Sequence, residues 1–316
     1  MTVKLERPEL LPLLRCPACG GSLAPAAEPF LDCSGCQRRF PLTRGRPVLL
    51  ANGSPEQPKQ NAVIEAQAQQ RQQTARTGLR RAVDRFRQAT TVDIFADDRQ
   101  QVPLLVDRIS ALTPERGWVL DVGACEQYYR ASLERLGPVI ALDISVYSAT
   151  DVVGDCHALP FADGSLFAVS AIEVLEHLQR PWRFVEEVAR VLRPGGLFFG
   201  VAPQYCPTHG FPHDFFRYTR SGLAALSEQA GLELEQAWPL GGQWGTLFHW
   251  YWANHARESR LRRVPVLNLA YHLWFQGSAW LLDRLDARAD HGAQPLAQEH
   301  NDHVGWSFIA RKPMPR

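Results

Sequence analysis

The chain has 316 residues, 45% of them hydrophobic and 21% charged, with a formal net charge of +1. This length holds one sizeable α/β core plus something small, and the near-zero charge supplies no field that would draw the molecule onto nucleic acid or an acidic membrane. The opening MTVKLERPEL has no apolar run of the secretory kind, and no stretch of about 18 residues lacks polar breaks, so a cytoplasmic protein without a spanning helix is expected.

Four of the seven cysteines come first, as Cys16-Pro17-Ala18-Cys19 and Cys33-Ser34-Gly35-Cys36. Each CxxC turns two thiolates onto one ion, and four thiolates close a tetrahedral site that favours zinc and leaves no open catalytic position. A redox CxxC is the competing reading, but such motifs rarely come doubled in so short a segment, and an odd cysteine total argues against disulfides. Pro41 to Leu50 reads as a turn and a closing strand. The span Leu10 to Leu50 resembles a small zinc-ribbon family of bacterial one-domain proteins, with the run LxCPxCGGxL…LxCxxCxxxFPVxDGIPVLL. That family includes the activator subunit bound by several tRNA and release-factor methyltransferases. Arg44 replaces its usual acid before Gly45. A structural zinc ribbon over residues 1–53 is expected, with the metal supplying much of its folding energy.

Residues 54–95 read as a linker and helical connector. Ala51 to Pro58 is linker-like in composition. Leu79, Ala82, Val83 and Phe86 then fall on one helical face, ringed by Arg71, Arg76, Arg80, Arg81, Arg85 and Arg87. A solvated face explains these arginines more simply than an anionic substrate does.

Residues 96–316 carry the cofactor signals. The apolar run Trp118 to Val122 contains Asp121 and ends at Gly123, and Val139 to Leu142 ends at Asp143. Asp155 ends a third run, and Glu173-Val174-Leu175-Glu176-His177 and Leu192-Arg193-Pro194-Gly195-Gly196 follow. Acids at the carboxyl ends of parallel strands suit a nucleoside-containing cofactor: a glycine admits the ligand to the backbone, and a carboxylate accepts ribose hydroxyls. The lack of a full G-x-G-x-x-G argues against a dinucleotide. From about Arg99 to Lys312 the chain resembles class I S-adenosylmethionine-dependent methyltransferases of the type 11 group. That group shows VLDVGxG, GDaxxLPFxDxSFDxV, VLEHv and RVLRPGG. The resemblance implies an α/β, Rossmann-like, doubly wound seven-stranded sheet behind the ribbon. It also implies a cofactor site from Asp121, Gly123, Ala124, Cys125, Asp143, Ile144, Asp155, Cys156, His157 and Glu173. Asp143 would take the ribose and Asp155 with Cys156 the adenine. Gly123-Ala124-Cys125-Glu126-Gln127 departs from the usual G-x-G-x-G, with Cys125 and Gln127 at two glycine positions, although Tyr129-Arg130 matches a branch with DVGaGxxPYR.

Methyl transfer asks the protein for alignment and, where needed, a base. The stretch Pro203 to Thr219 follows the fifth parallel strand. His209, His213 and Asp214 are candidates for a base or its orienter, with Tyr218 and, after the fourth strand, His177 as further acceptor-contacting candidates. The competing reading pairs Asp214 with Arg217 and lets Phe215 to Thr219 cap the sheet. Farther on, Trp244, Phe248, Tyr251 and Trp252 form an aromatic helical stripe. Val264 to Leu282 forms an apolar helix crossed by a polar line of Asn268, His272 and Gln276. Together they make a helical insertion at about 240–300. Packing on the sheet is its simplest role; an acceptor cover, a homodimer interface and peripheral membrane contact stay open. Val304 to Lys312 reads as a last, antiparallel strand.

Three functions follow as expectations. One is an S-adenosylmethionine-dependent methyltransferase for a small or medium acceptor such as a sugar, a glycan-linked compound or a specialised metabolite. Another is an RNA or protein methyltransferase with its zinc activator fused in cis, which the absence of an Asn-Pro-Pro-Tyr-type motif disfavours. The last is a non-catalytic cofactor-binding scaffold, suggested by the loop's missing glycines.

Overall fold

The computed structural model describes residues 4–26, 29–51, 96–146, 149–210, 212–240 and 304–315, with isolated helical positions at 274, 277, 278 and 281. The connector expected over 54–95 lies outside the described residues, as do the aromatic stripe of Trp244, Phe248, Tyr251 and Trp252 and the polar line of Asn268, His272 and Gln276, save the linker-like start at Ala51.

Four short strands form the N-terminal unit: β1 (Leu23–Pro25), β2 (Phe30–Cys33), β3 (Arg39–Thr43) and β4 (Arg46–Leu49). After helix α1 (Ala96–Leu112) the main sheet is built from β5 (Val119–Val122), β6 (Val139–Asp143), β7 (Val152–Gly154), β8 (Leu166–Ile172), β9 (Leu192–Pro203), β10 (Glu233–Leu240) and β11 (Gly305–Arg311). Helices α2 (Arg130–Leu133), α3 (Pro181–Val191) and α4 (Arg220–Gln229) lie between them. The order across the sheet is β1-β2-β3-β4-β7-β6-β5-β8-β9-β11-β10. Strands β4 to β9 in that order run parallel, and β11 is antiparallel to both β9 and β10. The seven strands from β7 to β10 are the doubly wound sheet expected from the sequence, including its antiparallel last strand.

Strand residues alternate between two apolar layers, as a sheet covered on both faces requires. Leu120, Ile140, Phe198 and Phe308 pack on one side with Phe184, Val185 and Val188 of α3. Val119, Val139, Phe199 and Ile309 pack on the other with Leu105, Val106 and Ile109 of α1. Helix α3 starts with Pro181 in its first turn and buries Phe184, Val185, Val188 and Val191 at helical spacing.

The N-terminal unit does not stand apart. Strand β4 pairs with β7 through Val48–Val153 and Leu49–Gly154, so it occupies what would be the sheet's open edge. Leu10, Leu14, Leu31, Phe40 and Leu49 share one apolar cluster with Val152, Leu159 and Phe161. Backbone bonds run from Arg15 N to Pro160 O (2.9 Å) and from Ala162 N to Leu13 O (2.8 Å). Arg7 Nη1 reaches Asp151 Oδ2 at 2.9 Å, and Arg130 reaches the same oxygen at 3.2 Å. A segment too small to bury a core of its own completes one at the sheet edge.

Candidate functional site

The four N-terminal cysteines converge. Cys16 Sγ lies 3.7 Å from Cys36 Sγ, and Cys19 Sγ lies 3.5 Å from Cys33 Sγ. All four sulfurs fall within 4.8 Å of one another. Thiolates around one tetrahedral zinc sit about 3.8 Å apart, given a Zn–S bond near 2.3 Å, and a disulfide needs about 2.05 Å; the spacing fits an ion and excludes a bond. Gly21 N donates to Cys19 Sγ (3.4 Å) and Gly35 N to Cys33 Sγ (3.3 Å). A Cβ at Gly21 would come within 2.9 Å of Cys33 Sγ, so the turn requires glycine.

At the carboxyl ends of β5, β6 and β7 stand Asp121, Asp143 and Asp155 on adjacent parallel strands. Asp121 is buried, and Oδ1 accepts from Ser170 Oγ on β8 at 3.0 Å. Burial pushes its carboxyl up to about 7, against the pull of Ser170 and Arg130 and with help from nearby Asp143. Asp143 is also buried. Its Oδ2 accepts from Cys125 N (3.1 Å) and its Oδ1 from Ser145 N (2.8 Å), which leaves lone pairs on both oxygens for hydroxyl donors. Ile144, between these contacts, is half-buried. Asp155 caps the 3₁₀ turn Cys156–Ala158: Oδ1 accepts from His157 N (2.9 Å) and contacts His157 Nδ1 (2.8 Å). The third acid therefore holds its own turn with one oxygen.

The loop after β5 answers the question raised by its missing glycines. Gly123 adopts φ +69°, and a Cβ there would strike Val174 Cγ2 at 2.8 Å. Gly123 N and Ala124 N both donate to Leu142 O. Cys125 and Gln127 hold φ values of 44° and 56°. Both glycine positions of the family pattern thus keep the left-handed backbone that glycine ordinarily supplies, at a cost of about 1 kcal/mol or more each. Glu173, just past β8, holds φ 52°. Three residues with left-handed backbone thus gather at neighbouring strand ends, and strain of this kind clusters at functional sites. Cys125 opens to solvent, yet the protein crowding its thiol, then Asp143, push its pKa up to about 12, so it is no nucleophile at neutral pH.

The stretch from Pro203 to Thr219 folds back over the 3₁₀ turn Leu175–His177. Phe215 N donates to Glu176 O (2.7 Å) and Tyr218 Oη to Leu175 O (3.0 Å). Asp214 forms a two-pronged pair with Arg217 (Oδ2–Nη2 2.9 Å) and accepts from His209 N (2.8 Å). Arg217 in turn donates to Cys206 O and Pro207 O. Arg217, then the His209 amide and the charge of His209, hold the Asp214 carboxyl down to about 2 despite its burial. Asp214 is thus tied into the loop through Arg217 and the His209 amide, and the buried Tyr218 phenol, which donates to a carbonyl, is held above its ordinary range, mainly by burial.

The side chains of His177 and His209 come together, whereas His213 joins them only through its backbone carbonyl and turns its ring to Phe215. His177 Nδ1 lies 2.6 Å from His213 O, and the rings of His177 and His209 meet edge to face at 4.9 Å. The residue missed by sequence reasoning is Glu176, which is fully buried between them. Its Oε1 lies 3.6 Å from both His177 Nε2 and His209 Nε2. Cys206, then Glu176, hold the His209 imidazole well above its ordinary value, to about 10.

Residues 120–200 match the family model described as a methyltransferase domain. The chain carries a class I S-adenosylmethionine-dependent methyltransferase domain. Among curated relatives, the demethylmenaquinone methyltransferase of Renibacterium salmoninarum is 32% identical over 161 residues, covering 43% of this chain and 65% of that protein. A probable S-adenosylmethionine-dependent methyltransferase of Mycolicibacterium smegmatis is 38% identical over 89 residues, 26% of this chain and 34% of its own. An uncharacterized methyltransferase of Mycobacterium avium is 35% identical over 96 residues, and the match spans only 36% of that protein's length. Among solved structures, the 1,6-didemethyltoxoflavin-N1-methyltransferase of Burkholderia thailandensis is similar over 89% of this chain and 97% of its own, with a TM-score of 0.43 and 12% identity. No helix among the described residues of this methyltransferase-domain chain is long and apolar enough to cross a membrane.

Proposed function

We propose that the chain is a cytoplasmic S-adenosylmethionine-dependent methyltransferase acting on a small or medium acceptor, with zinc held by Cys16, Cys19, Cys33 and Cys36 as a structural ion. The observation that carries the reading is the trio of acids at three adjacent strand ends beneath a strained loop. The residues fit the cofactor. Gly123 lets the loop pass close against Val174, where a Cβ would meet Cγ2 at 2.8 Å. Asp143 keeps lone pairs for both ribose hydroxyls. Asp121 offers a buried carboxyl to the cofactor's ammonium group, and Asp155, at the third strand end, is assigned to the adenine amino group. Ala124, Cys125, Ile144, Cys156, His157 and Glu173 complete the assignment.

The bound cofactor supplies a methyl group already activated on sulfur. The protein's work is to align the acceptor, exclude water and, for an acceptor that must lose a proton, to receive it. His177 and His209 line the acceptor side of this assignment, at the end of β8 and in the loop after β9. A small acceptor accords with the net charge of +1, which gives a polyanion no general attraction. The Renibacterium relative is named a demethylmenaquinone methyltransferase.

One observation favours a second reading, an RNA or protein methyltransferase with its activator in cis: the ribbon's last strand extends the sheet at β7. Methyl-labelled S-adenosylmethionine incubated with the full chain and separate metabolite, transfer-RNA and protein fractions decides between them. Label in the metabolite fraction supports the first reading. Label confined to RNA or protein transfers the conclusion to the second, and a folded, cofactor-binding chain that labels none leaves the scaffold.

A further inference from the structure

We propose that Glu176, His177 and His209 form a second metal site, separate from the cysteine cluster, that takes a divalent transition ion of zinc's class. The three ligand atoms lie within 4.8 Å of one another. Oε1 of Glu176 stands 3.6 Å from each histidine Nε2. Ligands about 2.1 Å from a tetrahedral ion are about 3.4 Å apart, so the spacing is wider than a hydrogen bond and close to that of a shared ion.

The hydrogen-bonding around the cluster has the polarity such a site requires. His177 Nδ1 faces the carbonyl of His213 at 2.6 Å, and His209 Nδ1 faces that of Pro207 at 3.1 Å. A carbonyl only accepts, so Nδ1 is the donating nitrogen in each ring, with Cys206 Sγ also 3.6 Å from that of His209, and Nε2 is the nitrogen on the Glu176 side. Fixing a ligating imidazole through its far nitrogen is how metal sites orient histidine. Both Nε2 atoms then converge on one carboxylate oxygen. Glu176 is wholly buried, and neither of its oxygens receives a hydrogen bond among the described residues. A buried carboxylate without a donor is costly, and one cation satisfies it together with both imidazoles.

The loop is built to hold this arrangement. Asp214 fixes the His209 amide, and Arg217 ties Asp214 to the carbonyls of Cys206 and Pro207. Glu176 and His177 sit on the turn that follows β8, where Phe215 and Phe216 bond the Glu176 carbonyl. Three protein ligands leave a coordination position open, which suits an oxygen donor from an acceptor. The site stands on its own geometry, whether or not methyl transfer occurs.

The test is metal stoichiometry in the full chain. Protein stripped of metal under reducing conditions is loaded with zinc, desalted and analysed for zinc per chain by mass spectrometry. Wild type should hold one equivalent more than His177→Ala, His209→Ala or Glu176→Gln. In cobalt-loaded samples, the thiolate absorption of the ribbon should be the same in all four. Equal equivalents in wild type and His177→Ala overturn the proposal, as expected of an ion pair that uses only a proton. His177 is the decisive position because its side chain is about 30% exposed, and circular dichroism melts confirm that the variant folds.

Discussion

Asp121→Asn isolates the buried carboxyl at the end of β5. In the folded chain its pKa rises from the ordinary 3.8 to about 7, chiefly through burial. The unfolded chain therefore releases this proton first. The group's contribution to stability is intact below about pH 4 and is lost as pH climbs through 7. Once the carboxyl is ionised in both states, the native fold carries a cost of ~4 kcal/mol. At pH 5.5 the cost is about half of that, because only the unfolded state has ionised. Asparagine keeps an oxygen for the Ser170 hydroxyl, which stands 3.0 Å away, and never ionises. Urea denaturation of both proteins at pH 5.5 and 8.5 cancels every other titrating group. The variant should be the more stable, and its advantage should grow by ~2 kcal/mol between the two pH values. Over the same range, cofactor affinity of the wild type should rise with pH as Asp121 gains charge, and that of the variant should be weaker and flat. An advantage that stays constant from pH 5.5 to 8.5 would refute the burial of a titrating carboxyl here.

Three further perturbations probe other parts of the site. Asp143→Ala removes the acceptor of the Cys125 and Ser145 amides; it should abolish measurable cofactor binding in calorimetry and cost ~1–3 kcal/mol per stranded amide in stability, and unchanged binding would remove Asp143 from the pocket. Cys125→Gly relieves a residue held at φ 44°; it should stabilise the chain by about 1 kcal/mol in urea without weakening cofactor binding, whereas destabilisation would mean that the side chain packs usefully. Cys16→Ser should lower the melting temperature and the zinc content, since the ribbon shares its core with β7; a loss of turnover at unchanged melting temperature would show that the ribbon is more than structural.

Much of the sheet was legible because each parallel strand is a short apolar run closed by an acid or a glycine, as in Val119 to Gly123 and Val139 to Asp143. The cysteine spacing announced its cluster for a similar reason: both halves of each ligand pair lie within one turn. What the chain order concealed was contact between distant segments. Strand β4 reads as the end of a self-contained ribbon, and nothing within Arg46 to Leu49 reveals that its neighbour is β7. Glu176 sits beside His177 in a run that reads as a helix start, and His209 comes 33 positions later; only the backfolding of the loop through Asp214 and Arg217 joins them. The loop after β5 shows a different limit. Cys125 and Gln127 suggest a lost turn, but the backbone holds the left-handed form without glycine because Asp143 and Leu142 anchor its amides.

The claim on which the rest depends is that the crevice over Asp121, Asp143 and Asp155 takes an adenosyl cofactor. Isothermal titration of the full chain with S-adenosylmethionine measures this without any knowledge of the acceptor. Saturable binding of one molecule per chain is the predicted result. A folded, zinc-replete chain that gives no binding heat at any temperature, and no rise in melting temperature with the cofactor, would contradict it.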